Sequence, residues 1–396
     1  MSYVVEEIVL DLRENIEQNP AVDVRHVFEK RPMKMQEKAN SGNGVFHNIQ
    51  EEEGAMKRHW VKKVLVLAFV VAVGFVCAQA YAQDKVISLN YAHFMPAPTM
   101  QAQLSDQWCK EVEKVTNGKV KVTFYPGGTL STAPQIYDGI VKGIADVGFS
   151  IFSYTRGRFP LTEVVDLPLG YKSGYVATKL INEYFKKFNP KEMDDAKVMY
   201  LHAHGPGILV TKTPVEKLDD LKGMKIRSTG LSGKIAAALG GAPVGMPITE
   251  AYDALNRGVA EGILTPVEAL KQWKLAEVTK CVTENYGSAY SVGFFIVMNK
   301  DKWNSLPSDI QKAIEKVNEQ WIEKTGKAWD EIDKEGKEFA LGKGMKFIPL
   351  SKQEEVRWNE RVKPILDDYV KDMKAKNLPG EEALKFAQDY LKANQK

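Results

Sequence analysis

From residue 86 onward the chain switches repeatedly between two hydrophobic periods. Val86 to Ala92 (VISLNYA) alternates apolar and polar positions, the pattern of a half-buried strand. Gln101 to Val115 then takes helical spacing and stops at Asn117 and Gly118. Lys119 to Tyr125 alternates again, Pro134 to Lys142 predicts a helix closed by Gly143, and Ala145 to Phe149 predicts a short buried strand. This strand–helix grammar predicts an α/β unit with a partly parallel sheet.

A second unit of the same kind is predicted from about Lys197. Its strands are Val198 to His202, Gly207 to Thr211, Met224 to Arg227, Ala242 to Met246 and Ala260 to Leu264. Its helices are a short turn at Leu218 to Leu221, Gly230 to Leu239, Glu250 to Asn256 and Pro266 to Leu275. After a strand at Phe294 to Met298 the chain turns helical. Asp309 to about Leu341 carries Ile310, Ile314, Val317, Trp321 and Ile322 on one face. Helices at Lys352 to Lys374 and Gly380 to Ala393 follow. Two α/β units with a late helical region predict two lobes and a cleft. Ligands of open α/β sheets sit beyond the carboxyl ends of strands, so the loops there are the place to look.

The N-terminal part reads differently. Lys57, Arg58, Lys62 and Lys63 precede an apolar run from Val64 to Val76, and Ala80, Tyr81 and Ala82 form a small-x-small cleavage site. The run is short of the roughly 20 residues a membrane span needs. A signal peptide over 56–82, cut after Ala82, is the expectation; an uncleaved anchor is the alternative. Cys77 follows Gly74, Phe75 and Val76, without the small residue that precedes a lipidated cysteine. Residues 1–55 are polar, and Glu51 to Gly54 would be encoded by purine-rich codons resembling a ribosome-binding site. Translation is therefore expected to start at Met56, with 1–55 a mis-called extension.

Composition narrows the function. The 396 residues are 44% hydrophobic and 27% charged, with 54 basic against 51 acidic side chains. Setting aside the 10 basic and 11 acidic residues of 1–82 leaves 44 against 40, so there is no electrostatic footprint for nucleic acid. Beyond residue 82 the cysteines are Cys109 and Cys281, read as buried free thiols or as one disulfide. No G-x-S-x-G, H-E-x-x-H or Walker A pattern occurs. Thr229 to Lys234 (TGLSGK) is too short for a phosphate loop and has Ile235 where magnesium would need a hydroxyl. His202 and His204 share a strand face but have no third ligand at metal spacing. No catalytic set, metal or cofactor is expected.

One constellation stands out. Arg227 ends a predicted strand immediately before the Ser/Gly-rich start of a helix. Its guanidinium suits a carboxylate held bidentately, and the helix start around Ser232 and Gly233 adds free N–H groups. An arginine in a surface ion pair fits the same pattern.

From about Lys85 to Lys374 the chain resembles the DctP-type solute receptors of TRAP transporters (tripartite ATP-independent periplasmic transporters). DLKGMKIRSTG (Asp220 to Gly230) looks like the family's K-G-x-K-x-R segment. LGGAPVGMPITEAYDALNRGVAEGILTP (Leu239 to Pro266) looks like its A-x-P-x-x-M segment and its E-x-Y-x-A-L run. NGKVKVTFYPGGTL (Asn117 to Leu130), GIADVGF (Gly143 to Phe149) and DLPL (Asp166 to Leu169) agree in order.

The resemblance implies a two-lobed periplasmic binding protein, α/β in each lobe, with an interlobe cleft and a long helix spanning both lobes. It places 83–204 with 291–330 in lobe I, and 205–290 with 331–396 in lobe II. It implies hinge closure on a small organic acid, small and large TRAP membrane subunits as partners, a periplasmic location and a monomer. Arg227 inherits the carboxylate clamp. His93 falls where sialic-acid receptors place an asparagine, and Gly207 where they carry a second arginine, so a sugar acid is not expected. Thr265 stands in place of the family's asparagine; Thr229 and Gly230 complete the helix start. Ser150, Phe152 and Tyr154 follow the GIADVGF strand and, with Phe294, are either pocket walls for a flat or aromatic acid or ordinary core. A sensory partner reporting occupancy to a membrane kinase is the second reading of the same fold.

Overall fold

The computed structural model describes residues 86–395 and, apart from them, Lys63. The expected extension over 1–55, the signal peptide over 56–82 and its cleavage site after Ala82 lie outside the described residues. Among those described, no helix is long and apolar enough to cross a membrane.

The first lobe begins with β1 (Ile87–His93), α1 (Met100–Val115), β2 (Val120–Tyr125), α2 (Ile136–Val141), β3 (Val147–Ile151), α3 (Gly174–Phe188) and β4 (Ala196–Ala203). The chain then enters the second lobe as β5 (Ile208–Thr211), β6 (Lys225–Ser228), α4 (Leu231–Ala238), β7 (Ala242–Gly245), α5 (Ala251–Asn256), β8 (Gly262–Thr265), α6 (Ala269–Gln272) and β9 (Cys281–Glu284). It returns as β10 (Gly293–Asn299) and α7 (Lys300–Asn304), crosses again along α8 (Ser308–Gly342), and ends with β11 (Lys346–Pro349), α9 (Lys352–Val362), α10 (Pro364–Ala375) and α11 (Gly380–Asn394).

Each lobe is built on one sheet. The first runs β2-β1-β3-β10-β4 and the second β11-β9-β5-β8-β6-β7. In the first, β1 pairs parallel with β2 and β3, while β10 lies antiparallel between β3 and β4. In the second, β6 pairs parallel with β7 and β8. Both sheets thus aim the ends of several parallel strands at the cleft, the geometry that collects loops around a ligand.

Two segments join the lobes side by side, 204–207 and 285–292, the second opening with a helical turn at Tyr286–Ser288 before it extends. Gly207 and Tyr290 form an antiparallel bridge, with the Gly207 N–H donating to the Tyr290 carbonyl at 2.7 Å. The long helix ties the lobes a third time. At the usual helical rise its 35 residues span about 52 Å. Its first half is locked to the first lobe. Trp108 Nε1 donates to Asn318 Oδ1 at 2.9 Å, Trp321 Nε1 to the Leu104 carbonyl at 2.9 Å, and Trp329 Nε1 to His202 Nδ1 at 2.9 Å. Its second half grips the second lobe, where Asp333 Oδ1 accepts the Glu268 N–H at 2.9 Å and Lys337 pairs with Glu284 at 2.9 Å.

Several predicted boundaries shift for physical reasons. The strand at Ala196–Ala203 belongs to the first sheet, because β10 folds back beside it, so the second unit starts only at β5. The predicted helix from Pro266 to Leu275 shrinks to Ala269–Gln272: its start closes through i→i+3 bonds from Ala269 to Pro266 and from Leu270 to Val267, and Lys274, with φ +56°, ends it. Lys352 to Lys374 is two helices, the second opened by Pro364, which has no N–H to continue the first. Helix α3, with Val176, Ala177, Leu180, Ile181 and Tyr184 spaced along it, and the strands β9 and β11 were not predicted.

The assignment of 331–396 to lobe II needs correction for its last part. Phe386 of α11 packs edge-on against Phe188 of α3 at 5.8 Å, Tyr369 donates to the Leu161 carbonyl at 2.7 Å, and Gln395 bonds Lys172 and Gly170. Helices α10 and α11 therefore close over lobe I, where α11 buries Ala383, Ala387 and Leu391, whereas α9 stays on lobe II, with Glu354 accepting the Leu218 N–H at 2.9 Å. Cys109 and Cys281 are free and buried, one in α1 and one in β9, in different lobes.

Close packing of α8 on lobe II depends on Gly336, where a β-carbon would stand 2.6 Å from the Val267 carbonyl oxygen and 2.7 Å from Glu268 Cα. Both neighbours are backbone and cannot swing aside. Gly336→Leu is expected to lower unfolding free energy by about 2 kcal/mol, the usual scale of overpacking. Urea titration checks it, and an unshifted midpoint would show that helix and loop separate freely.

Candidate functional site

Arg227 is placed by the alternation of β6. Ile226 faces the core, and Arg227 emerges beside Thr229 at the carboxyl end of the strand. The side chain is only 4% exposed. Its Nε and Nη2 both donate to one carbonyl, that of Met246, at 3.1 and 2.8 Å. One acceptor thus fixes one edge of the fork. No acidic side chain among the described residues forms an ion pair with it, so the surface-pair alternative is not what the fold builds.

The guanidinium borders a cavity between the lobes with about 450 Å³ free of atoms, its mouth included. Lobe I contributes Phe94 and Met95 after β1, and Ile151 and Tyr154 after β3. The hinge segments contribute His204, Tyr290 and Val292, β10 contributes Phe294, and α8 contributes Trp329. Lobe II adds Arg227, Thr229, Ile248, Leu264, Thr265, Pro266, Glu268 and Trp273. Tyr290, Val292 and Phe294 alternate along the extended stretch that leads into β10, which is why all three reach the same wall.

The electrostatics of the lining favour an anion. Burial pushes His204 down to about 4, so the ring is neutral at pH 7. Burial, followed by the nearby Asp333, pushes Glu268 up to about 8, so its carboxyl is mostly protonated there. Burial also raises Tyr154, although Arg227 pulls the other way. That leaves Arg227 as the charge on this wall. A buried cation with no counter-ion is costly, and a bound carboxylate would relieve that cost.

Of the ten positions singled out from the sequence, Arg227, Tyr154, Thr229, Thr265 and Phe294 line the cavity. The other five do not. His93 stacks on Phe149 with ring centres 3.9 Å apart, and its Nδ1 accepts the Met95 N–H at 3.1 Å; it shapes the loop whose Phe94 and Met95 reach the cavity. Ser150 donates to the Ala133 carbonyl at 2.7 Å, and Phe152 packs between Phe159 and Phe295. Both point to the opposite face from Ile151, one step along the strand. Gly207 lies under Tyr290, where a β-carbon would meet the ring at 2.2 Å. Gly230, with φ +52°, opens α4 and lies against Ser153 of the other lobe, 2.5 Å from where its β-carbon would stand.

Two hydrogen bonds cross the cleft beside the cavity. The Ile248 N–H of lobe II donates to the Tyr154 hydroxyl of lobe I at 2.9 Å. The Met100 N–H of lobe I donates to Gln272 Oε1 of lobe II at 2.6 Å.

Residues 91–372 match the family model for bacterial extracellular solute-binding protein family 7, DctP. A TRAP periplasmic solute-binding protein from Desulfovibrio salexigens is 36% identical, with a TM-score of 0.71 over 78% of this chain and 98% of that one. A marine metagenome TRAP solute-binding protein specific for aromatic acid ligands, solved with 3-hydroxybenzoate, is 30% identical, with a TM-score of 0.74 over 78% of this chain and 99% of that one. The C4-dicarboxylate-binding periplasmic protein DctP of Rhodobacter capsulatus is 27% identical over 309 residues, 75% of this chain and 90% of that protein. With its two α/β lobes, interlobe cavity and spanning helix, the chain belongs to the DctP family of TRAP solute receptors, which bind solutes for transport and are not enzymes.

Proposed function

We propose that this protein is an exported receptor that encloses a small organic acid, aromatic acids among them, between its lobes and presents it to the small and large membrane subunits of a TRAP transporter. The observation that carries this is Arg227, a buried guanidinium on the cavity wall with no acidic partner among the described residues: its fork meets the neutral Met246 carbonyl, with the neutral Tyr154 hydroxyl beside it. A ligand carboxylate takes the free N–H groups of the fork, with Thr229 and Thr265 close enough in the same lining to add hydroxyl contacts. The body of the ligand lies among Phe94, Tyr154, Trp273 and Phe294. Flat rings suit that wall, because aromatic faces and edges pack at van der Waals distance without needing further polar partners. The related receptor solved with 3-hydroxybenzoate supports an aromatic acid as one ligand class.

The polar contacts from Ile248 to Tyr154 and from Met100 to Gln272 hold the lobes together around the cavity. Ligand binding would favour this closed arrangement, because contacts from both walls to one molecule exist only when the lobes meet. That closed surface is what membrane subunits would recognise. A periplasmic location follows from the family and from the leader-like segment over 56–82.

Arg227→Ala is expected to weaken binding of benzoate or 3-hydroxybenzoate by about 3 kcal/mol, roughly a hundredfold, the scale of a lost charge-assisted pair. Calorimetry on a variant with unchanged circular dichroism measures it; wild-type affinity in that variant would reject the clamp. Gly230→Ala should also weaken binding, by about 1–2 kcal/mol, because an L side chain at positive φ is strained and would press on Ser153 across the cleft. Equal affinity in wild type and variant would remove Gly230 from the closing surface.

A further inference from the structure

Glu268 is a carboxyl on the cavity wall, 3% exposed, with no cation paired to it among the described residues. Its surroundings are neutral or acidic. From α8, Asp333 accepts the Glu268 N–H at 2.9 Å and is itself pushed up to about 7 by burial, with Asp330 adding to the rise. From α6, Lys271 turns outward to Glu335 at 2.6 Å. Within the cavity His204 is neutral at pH 7, and Arg227 is turned to the Met246 carbonyl. A carboxyl in this setting keeps its proton, because ionising it would bury an unpaired charge beside a second acid.

The hydrogen-bond network also says where that proton sits. The Met100 N–H can only donate, so the oxygen it meets at 2.6 Å must be Gln272 Oε1. This fixes the amide, and Gln272 Nε2 becomes the donor to Glu268 Oε2 at 2.6 Å. An oxygen that accepts leaves the proton to its neighbour. Glu268 Oε1 therefore carries the O–H, and no protein acceptor takes it among the described residues.

We propose that Glu268 is a specificity residue that reads a second oxygen of the ligand: its Oε1–H donates to a hydroxyl of an organic acid whose carboxylate is held by Arg227. Gln272 links that contact to Met100 of the opposite lobe, so recognition of the second oxygen and lobe closure share one chain of hydrogen bonds. This rests on the cavity being the acid-binding site proposed above. The ligand class it names is the hydroxy acids, aromatic ones included.

The test measures affinity for benzoate and for 2-, 3- and 4-hydroxybenzoate at pH 7 and pH 9, by calorimetry. In the wild type, at least one hydroxybenzoate is expected to bind about tenfold tighter than benzoate, the worth of one hydrogen bond. Glu268→Leu should erase that advantage, so that within this variant no hydroxybenzoate binds tighter than benzoate. Raising the pH from 7 to 9 should cost the wild type about tenfold, as the neutral fraction of a group near 8 falls. Glu268→Gln, uncharged at both pH values, should lose that dependence and needs no new space. A hydroxybenzoate advantage that survives in Glu268→Leu, or the same pH response in Glu268→Gln as in wild type, overturns the inference. Equal wild-type binding of all four acids overturns it alone and keeps the acid-binding reading; no binding of any of them, with the protein folded, overturns both.

Discussion

An arginine that is nine-tenths buried and shares its fork with one neutral carbonyl governs the arrangement around it. The Met246 carbonyl orients the guanidinium but cannot neutralise it. Two other titratable groups on the same wall, His204 and Glu268, are both held uncharged near neutral pH by burial. The cavity thus keeps a positive potential in a setting where water screens poorly, and each added negative charge on its lining would cancel part of the attraction. The absence of a second arginine, with Gly207 tucked under the Tyr290 ring, leaves one anchoring point and a largely apolar remainder.

How much of this was legible before the fold was known depends on what each residue's surroundings had to supply. Arg227 was legible because strand end, residue type and helix start lie within a few positions of one another. The period of β3 was legible, but its orientation was not: Val147 to Ile151 is buried on both faces, so alternation alone cannot say which face meets the cleft. For Ser150 and Phe152 the sequence leaves pocket wall and ordinary core both open; the fold packs them away from the cavity, and Ile151 lines it. His93 falls at the right strand end, yet stacking on Phe149 turns it into the core. Glu268 and Trp273 had no local signature. They line the site because the loop after β8 packs against α8, a contact made by residues more than sixty positions apart in the chain. Trp329 could be read as a buried helix residue, but not as one that shares its burial with a ligand cavity.

The hinge shows the same division between local and distant causes. Tyr290, Val292 and Phe294 alternate along the extended run into β10 and so reach the cavity together. Their neighbour Gly207 stays small because a side chain there would collide with Tyr290. The long helix supplies rigidity, with tryptophan N–H groups of known partners along the first lobe and a carboxylate and an ammonium along the second.

The return of α11 onto α3 has a consequence for topology. The chain leaves lobe I after β4, comes back at β10, leaves again along α8 and comes back with the C-terminal helices. Lobe II is therefore an inserted body tied to lobe I by four chain crossings: the segments 204–207 and 285–292, the long helix, and the link from α9 to α10. Residue 86 and Gln395 both belong to lobe I. Two reporters placed near residues 86 and 395 would thus sit on one lobe, and a distance between lobes needs one reporter on each.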